Sequence, residues 1–159
     1  MTATANGIII RPAEERDVAT IAALIMHGAA TKTQTDAEIE QEAGHPAYLD
    51  AFREVAASAH DSLFVAERDG AVVGTYQITL IPGIIARGRK RAKLESVHVS
   101  PAMRGRGIGA AMIAHAIGQA RAGGADMVEL SSNKSRLDAH HFYRTLGFAQ
   151  SHEGFKLEL

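Results

Sequence analysis

Apolar positions along this chain follow two alternating rhythms. Gly7–Arg11 (G-I-I-I-R) is a short β-branched run closed by Pro12, which predicts a first strand. Across Ala13–Ala30, Val18, Ile21, Ala22, Leu24 and Ile25 recur at helical spacing, and Glu14, Glu15 and Asp17 crowd the opening turn, where acid complements the helix dipole. Thr31–Ala59 is less regular. T-D-A-E-I-E-Q-E-A starts a helix, G-H-P-A-Y interrupts it, and the stretch after Pro46 resumes it, so a helix pair with a mobile joint is expected.

The period then changes to two. Asp61–Arg68 and Ala71–Ile81 read as strands joined by Asp69-Gly70, a strong hairpin signal, and Gly74 marks a bulge or a close backbone approach. Pro82-Gly83 opens a connection carrying five basic residues between Arg87 and Lys93, and Leu94–Val99 is the next strand. Gly107–Ala122 is helical in composition and stops at Gly123-Gly124. Asp126–Leu130 is a further strand, Ser135–Leu146 a helix ended by Gly147, and Phe148–Gln150 with Phe155–Leu159 read as closing strands around S-H-E-G. The order predicts one α+β domain over residues 1–159, with a mixed, mostly antiparallel sheet of about six or seven strands and about four flanking helices. It is not a repeating βα array.

The chemistry concentrates in V-H-V-S-P-A-M-R-G-R-G-I-G, Val97–Gly109. A strand ends at Val99, Pro101 blocks its continuation, and Gly105, Gly107 and Gly109 precede the helix. Such a turn lets backbone N–H groups converge on an anion, the helix dipole favours the same charge, and Arg104 and Arg106 add directional donors. A ligand carrying a pyrophosphate is the expectation. Gly105, Gly107 and Ala110 also satisfy a permissive dinucleotide fingerprint, with Glu129 near the ribose-binding position. The late position of the motif, its arginine and the short remaining chain argue against that reading.

Composition narrows the picture further. The chain has no cysteine, which removes disulfides, thiolate metal sites and a cysteine acyl-enzyme. Net charge is −1, so a nucleic-acid or anionic-membrane surface is not expected, although a nucleic-acid binder using the basic hairpin is one rival reading. No apolar run approaches the roughly 18 residues of a membrane span. Met1–Gly7 lacks the pattern of a signal peptide, so the cytoplasm is the expected location. None of the eight histidines has the spacing of a helical metal site, and no metal is expected.

Two stretches together carry a resemblance. Leu94–Gly109, with R-G-R-G-I-G at Arg104–Gly109, resembles the acetyl-CoA-binding motif of the GNAT N-acyltransferase superfamily. Asn133–Phe148 (N-K-S-R-L-D-A-H-H-F-Y-R-T-L-G-F) resembles the motif that follows it there. The resemblance spans the chain in element order and looks most like small-molecule amine acetyltransferases, with the aminoalkylphosphonate type nearest.

That resemblance implies acetyl-CoA as co-substrate, a homodimer, and a cleft where strand Glu95–Val99 splays from Asp126–Leu130. Val97, His98 and Val99 would border the pantetheine arm, Arg104, Gly105, Arg106, Gly107, Ile108 and Gly109 the pyrophosphate, and Val97 N–H would polarise the thioester carbonyl. Asn133 would contact the cofactor or cap the following helix.

By alternation Glu95 shares a face with Val97 and Val99, and His98 takes the other. Glu95 is either the general base, acting through water, or a salt-bridge partner of the basic stretch. A free amine costs roughly 4.6 kcal/mol to reach at pH 7, so a carboxylate base is expected to be desolvated. Tyr143 would protonate the departing thiolate, a transfer uphill by about 2 kcal/mol; packing beside Phe142 is its other reading. With no nucleophilic elbow, the amine attacks directly in a ternary complex. The acceptor is expected to be a small-molecule primary amine, touched by His27, Tyr48, Glu95 and His152, with His45 and Glu153 as further candidates. A basic tip overhanging the cleft would favour a carboxylate or phosphonate. The alternatives are a protein lysine or N-terminus as acceptor, and a non-catalytic acyl-CoA sensor.

Overall fold

The computed structural model describes residues 2–3 and 7–159, with side chains from Gly7 onward. Part of the stretch read as carrying no signal peptide, Met1 and residues 4–6, lies outside them. In chain order the elements are β1 (Thr2–Ala3), β2 (Ile8–Pro12), α1 (Val18–His27), α2 (Asp36–Ala43), α3 (Pro46–Ala57), β3 (Asp61–Arg68), β4 (Ala71–Ile81), a single turn α4 (Ile85–Gly88), β5 (Arg91–Val99), α5 (Ile108–Ala122), β6 (Met127–Leu130) and α6 (Leu137–Thr145). The strands form one sheet in sequential order. All neighbours are antiparallel except β5 and β6, which are parallel because α5 crosses over between them. The α+β class follows directly. Five strands exceed two residues, slightly fewer than the six or seven expected.

The strand runs read from alternation sit where their side chains require. At the β3–β4 hairpin Asp69 and Gly70 both take positive φ, 51° and 80°, the geometry that matches the twist of two-residue hairpins. β5 starts at Arg91, three residues before the expected Leu94. Ala92 and Leu94 are buried while Arg91 and Lys93 are not, so the basic run itself alternates. The expected strands Phe148–Gln150 and Phe155–Leu159 do not form, and beyond Gly147 the chain has no secondary structure. The interrupted helical region resolves into α2 and α3, joined at Gly44-His45, with His45 Nδ1 accepting from Ala47 N at 3.2 Å.

Helices cover both faces of the sheet. On one, Ile8, Ile10, Phe64, Ala66, Tyr76, Ile78, Ala92 and Leu94 meet Ile108, Met112, Ile113, Ala116 and Ala120 of α5. On the other, Val65 and Thr75 lie beneath α1, whose Ile21, Ala22 and Leu24 are buried with Ile39 and Ala43 of α2. Val73 is the extra residue of a bulge beside Gly74, and a Cβ on Gly74 would stand 2.6 Å from Met112 Sδ. Gly74 thus supplies both the bulge and the close approach its position suggested. Under α5, Tyr76 Oη lies 2.6 Å from His115 Nδ1 and its ring stacks on Phe64. Arg11 grips buried Asp17 through two bonds of 2.6 and 3.0 Å and reaches Glu67 at 3.0 Å, tying the approach to α1 onto β2 and β3. That pairing holds the Asp17 carboxyl below the usual range. Among the described residues no helix is long and apolar enough to cross a membrane.

Candidate active site

The site begins with one residue out of step. β4 and β5 pair Gln77 with Glu95 and Thr75 with His98, so β5 uses one residue more than β4 over this interval. Ser96 occupies the extra position with φ of +51°, left-handed backbone that a serine adopts only at a cost. A one-residue insertion reverses every later side chain. Val97 and Val99 therefore pack on the α5-side core with Ala92 and Leu94, and His98 turns to the α1 side with Glu95. The expected face-sharing of Glu95 with Val97 and Val99 is corrected by this bulge, as is the placement of His98 opposite Glu95. At Gly28, just past α1, an added Cβ would come within 2.0 Å of the His98 ring.

The bulge coincides with a parting of strands. β5 and β6 pair from Arg91↔Met127 to Leu94↔Leu130 and no farther. A cleft opens there, lined by Glu95, Ser96, Val97 and His98 on one side and by Ser131, Ser132, Arg136 and Tyr143 on the other. His98 Nδ1 and Ser132 Oγ are buried without a hydrogen-bond partner, so the cleft holds polar groups that the protein itself leaves unsatisfied. Burial, reinforced by Arg136 and Arg104, pushes the His98 imidazole down to about 4, so it is neutral at pH 7.

At the cleft's end β5 gives way to a short 3₁₀ turn, Pro101–Met103, and then to the glycine turn. Gly105 and Gly107 take φ of 73° and 77°, which only glycine tolerates freely, and Gly107 caps α5. Ala111 N is the first to reach back into the helix, bonding Gly107 O at 3.0 Å, so the preceding amides of the first turn point outward. Arg104 and Arg106 are exposed beside them, with Arg104 Nε donating to Val99 O at 3.4 Å. Ile108 is buried, so its side chain packs in the core and only its backbone could contribute to the turn's anion-binding surface. Gly109 admits Phe142, whose ring would lie 3.1 Å from an added Cβ, and this contact sets α6 against the start of α5. Tyr143 follows, wedged edge-to-face between Phe142 and Phe148 and half-buried over the cleft. Burial raises its phenol, and Arg136 pulls it partly back.

The remaining predicted residues divide between the cleft and other places. Glu95 is exposed and pairs with Lys93 at 3.1 Å, so the desolvated carboxylate expected of a base is not what this position provides. Asn133 serves the turn before α6: its Oδ1 accepts from Ser135 N and Oγ at 2.9 and 2.8 Å. His27 joins Lys32 and Asp36 between α1 and α2, Tyr48 donates to Glu42 at 3.2 Å, and exposed His152 meets Ser151, so none of the three lines the cleft. The basic tract does not overhang the cleft as free charge. Arg89 pairs with Asp126, Arg91 with Glu129, and Lys90 donates to Gly123 O. Ser132 and Arg136 were missed from sequence; a Ser-Ser pair leaving a strand before an Asx turn was the available signal.

A family model described as the GNAT acetyltransferase family matches residues 19–148. The chain belongs to that family. It is 32% identical over 117 residues to the aminoalkylphosphonate N-acetyltransferase of Salmonella typhimurium, an alignment covering 74% of this chain and 75% of the relative. Among solved structures, a transcriptional regulator from Bacillus halodurans superposes with a TM-score of 0.85 at 30% identity, covering 96% of this chain and 99% of that one. A predicted acetyltransferase from Clostridium acetobutylicum, solved with acetyl-CoA, shares the fold at a TM-score of 0.67 and 18% identity, covering 95% and 96%. The sequence resemblance to GNAT enzymes, and to the aminoalkylphosphonate type within them, is thereby met by independent comparison, and the chain is a GNAT N-acetyltransferase.

Proposed function

We propose that this acetyltransferase uses acetyl-CoA and acetylates a primary amine of a small molecule. The observation that carries the reading is the single line formed by the freed edge of β5, the glycine turn and Tyr143. The outward amides of Gly105–Gly109 with Arg104 and Arg106 suit the pyrophosphate, and the unpaired edge at Val97–Val99 suits the amides of the pantetheine arm. With the thioester carbonyl on Val97 N–H, the amine nitrogen attacks the carbonyl carbon, the C–S bond breaks, and the thiolate takes the Tyr143 proton. Burial makes that transfer harder than the reference values suggest, and Arg136 beside the phenol offsets part of the cost. The proton lost by the amine passes through water to Glu95, a solvated carboxylate paired with Lys93 that lies on the α1 side just before the bulge. Neutral His98 stands on the same face and can accept a hydrogen bond from the amine without competing for its proton. A small-molecule acceptor is supported by the Salmonella relative, which is named for one.

The Bacillus structure favours a second reading, an acyl-CoA sensor, because that protein is described as a regulator. Thiol release from acetyl-CoA across aminoalkylphosphonates, amino acids, polyamines and amino sugars separates the two. Turnover on one class, falling at least about tenfold in Tyr143→Phe, is the expected result. Tight acetyl-CoA binding by calorimetry with no turnover on these amines or on peptides would favour the sensor, and absence of binding would overturn both.

A further inference from the structure

Arg11, Arg68, Arg91 and Arg136 are the partly buried arginines. Arg11 holds Asp17 and Glu67, Arg68 lies 3.7 Å from Asp69, and Arg91 meets Glu129 at 3.0 Å. Arg136 differs. It lines the cleft, and its guanidinium makes no hydrogen bond or ion pair among the described residues.

Nothing local accounts for a cation there. Arg136 opens α6, at the positive end of the helix dipole, where a cation is disfavoured. Glu95 is the one carboxylate among the described residues of the cleft, and Lys93 already pairs with it. Ser132 Oγ, on the same wall as Arg136, is buried without a partner. A partly buried charge left unbalanced costs stability, so this wall is suited to an anion that arrives from outside the chain.

Two features decide which anion. Tyr143 follows Arg136 by about two helical turns and lies on the same wall. Helical side chains lean toward the N-terminus, so the phenol reaches back toward the guanidinium, whose charge lowers it against the effect of burial. The thioester carbonyl oxygen belongs to the opposite wall, at Val97 N–H. The charge that develops on the α6 wall is therefore that of the departing sulfur.

We propose, on the footing of the acetyl-CoA reading, that Arg136 is a catalytic residue that holds the negative charge on the CoA sulfur as the C–S bond breaks. The electron pair of that bond stays on sulfur beside the guanidinium, the Tyr143 proton then moves to it, and solvent reprotonates the phenolate. Arg136 stays protonated throughout. Protonation by Tyr143 then need not keep pace with bond cleavage.

Binding of the product CoA tests this without any acceptor. In the wild type the thiolate absorbance of bound CoA should appear at a pH about one unit or more below that in Arg136→Met, which has no cation at the sulfur. Desulfo-CoA, which lacks the sulfur, should bind both proteins within about threefold and so report an intact site. If Arg136→Met does not fold, Arg136→Gln takes its place. In turnover Arg136→Met should lose about 100-fold in kcat with KM for acetyl-CoA within about threefold, and Arg136→Lys should recover about tenfold. Equal thiol titration in the two proteins would overturn the role of Arg136 while leaving the acetyltransferase reading in place. Desulfo-CoA binding weakened in both Arg136→Gln and Arg136→Lys would overturn it too, by assigning the guanidinium to the pantetheine arm. A wild type that binds neither CoA nor desulfo-CoA would overturn both readings.

Discussion

β5 is two strands in one. From Arg91 to Leu94 it is paired on both sides, alternates strictly, and buries Ala92 and Leu94 completely. From Glu95 to Val99 it is paired to β4 alone, its faces are exchanged, and its free side borders a cleft with unsatisfied polar atoms. One left-handed serine separates the halves. The first half shows how a sheet is held together, and the second how a sheet makes a binding edge: by withdrawing a neighbour and leaving backbone groups for a ligand. The same bulge decides which side chains watch that edge.

The comparison can be broken at its hinge. Deleting Ser96 should remove the bulge and its left-handed backbone while leaving Val97 on the α5 face and His98 on the α1 face, flatten the strand edge that borders the cleft, and reduce acetyl transfer by roughly 100-fold or more, with a changed Tm. Activity retained with an unchanged Tm would show that the bulge is incidental. In the doubly paired half, Leu94→Ala should cost about 3 kcal/mol of stability in denaturant titration while leaving kcat within about twofold. A large fall in kcat with intact stability would erase the distinction between the halves.

The smallest effect is a pH dependence. The His98 imidazole falls from the ordinary 6.5 to about 4 on folding, so between these values the unfolded chain binds the extra proton. Its contribution to stability is therefore complete above pH 6.5 and is lost as pH falls toward 4. In His98→Gln the decline of Tm from pH 7 to pH 4.5 should be shallower than in the wild type. Parallel curves would show that His98 is not protected in the fold.

Much of this was legible before the structure, and for identifiable reasons. β3, β4 and their Asp69-Gly70 turn declare themselves because alternation and turn chemistry are local. The glycine turn is legible because positive φ and close approach demand that residue type. The bulge was not. E-S-V-H-V alternates well enough to pass as plain strand, and Ser96 carries no mark of left-handed backbone such as glycine or asparagine would give. The early start of β5 was hidden by its charge, since Arg91 and Lys93 look like a loop until their partners Glu129 and Glu95 are seen. For Phe155–Leu159 the strand pattern was real and the pairing was absent. Pattern fixes a preference, but a strand needs an edge.

The Tyr76–His115 contact beneath α5 fixes a tautomer. Burial keeps the phenol protonated and the imidazole neutral, so the hydroxyl donates to Nδ1 and the ring proton must reside on Nε2. His115 is thereby a built-in nitrogen-15 reporter: its two ring resonances split widely only while α5 is seated on β4. Any unseating of α5 from the sheet is thereby readable at one side chain in the middle of the helix.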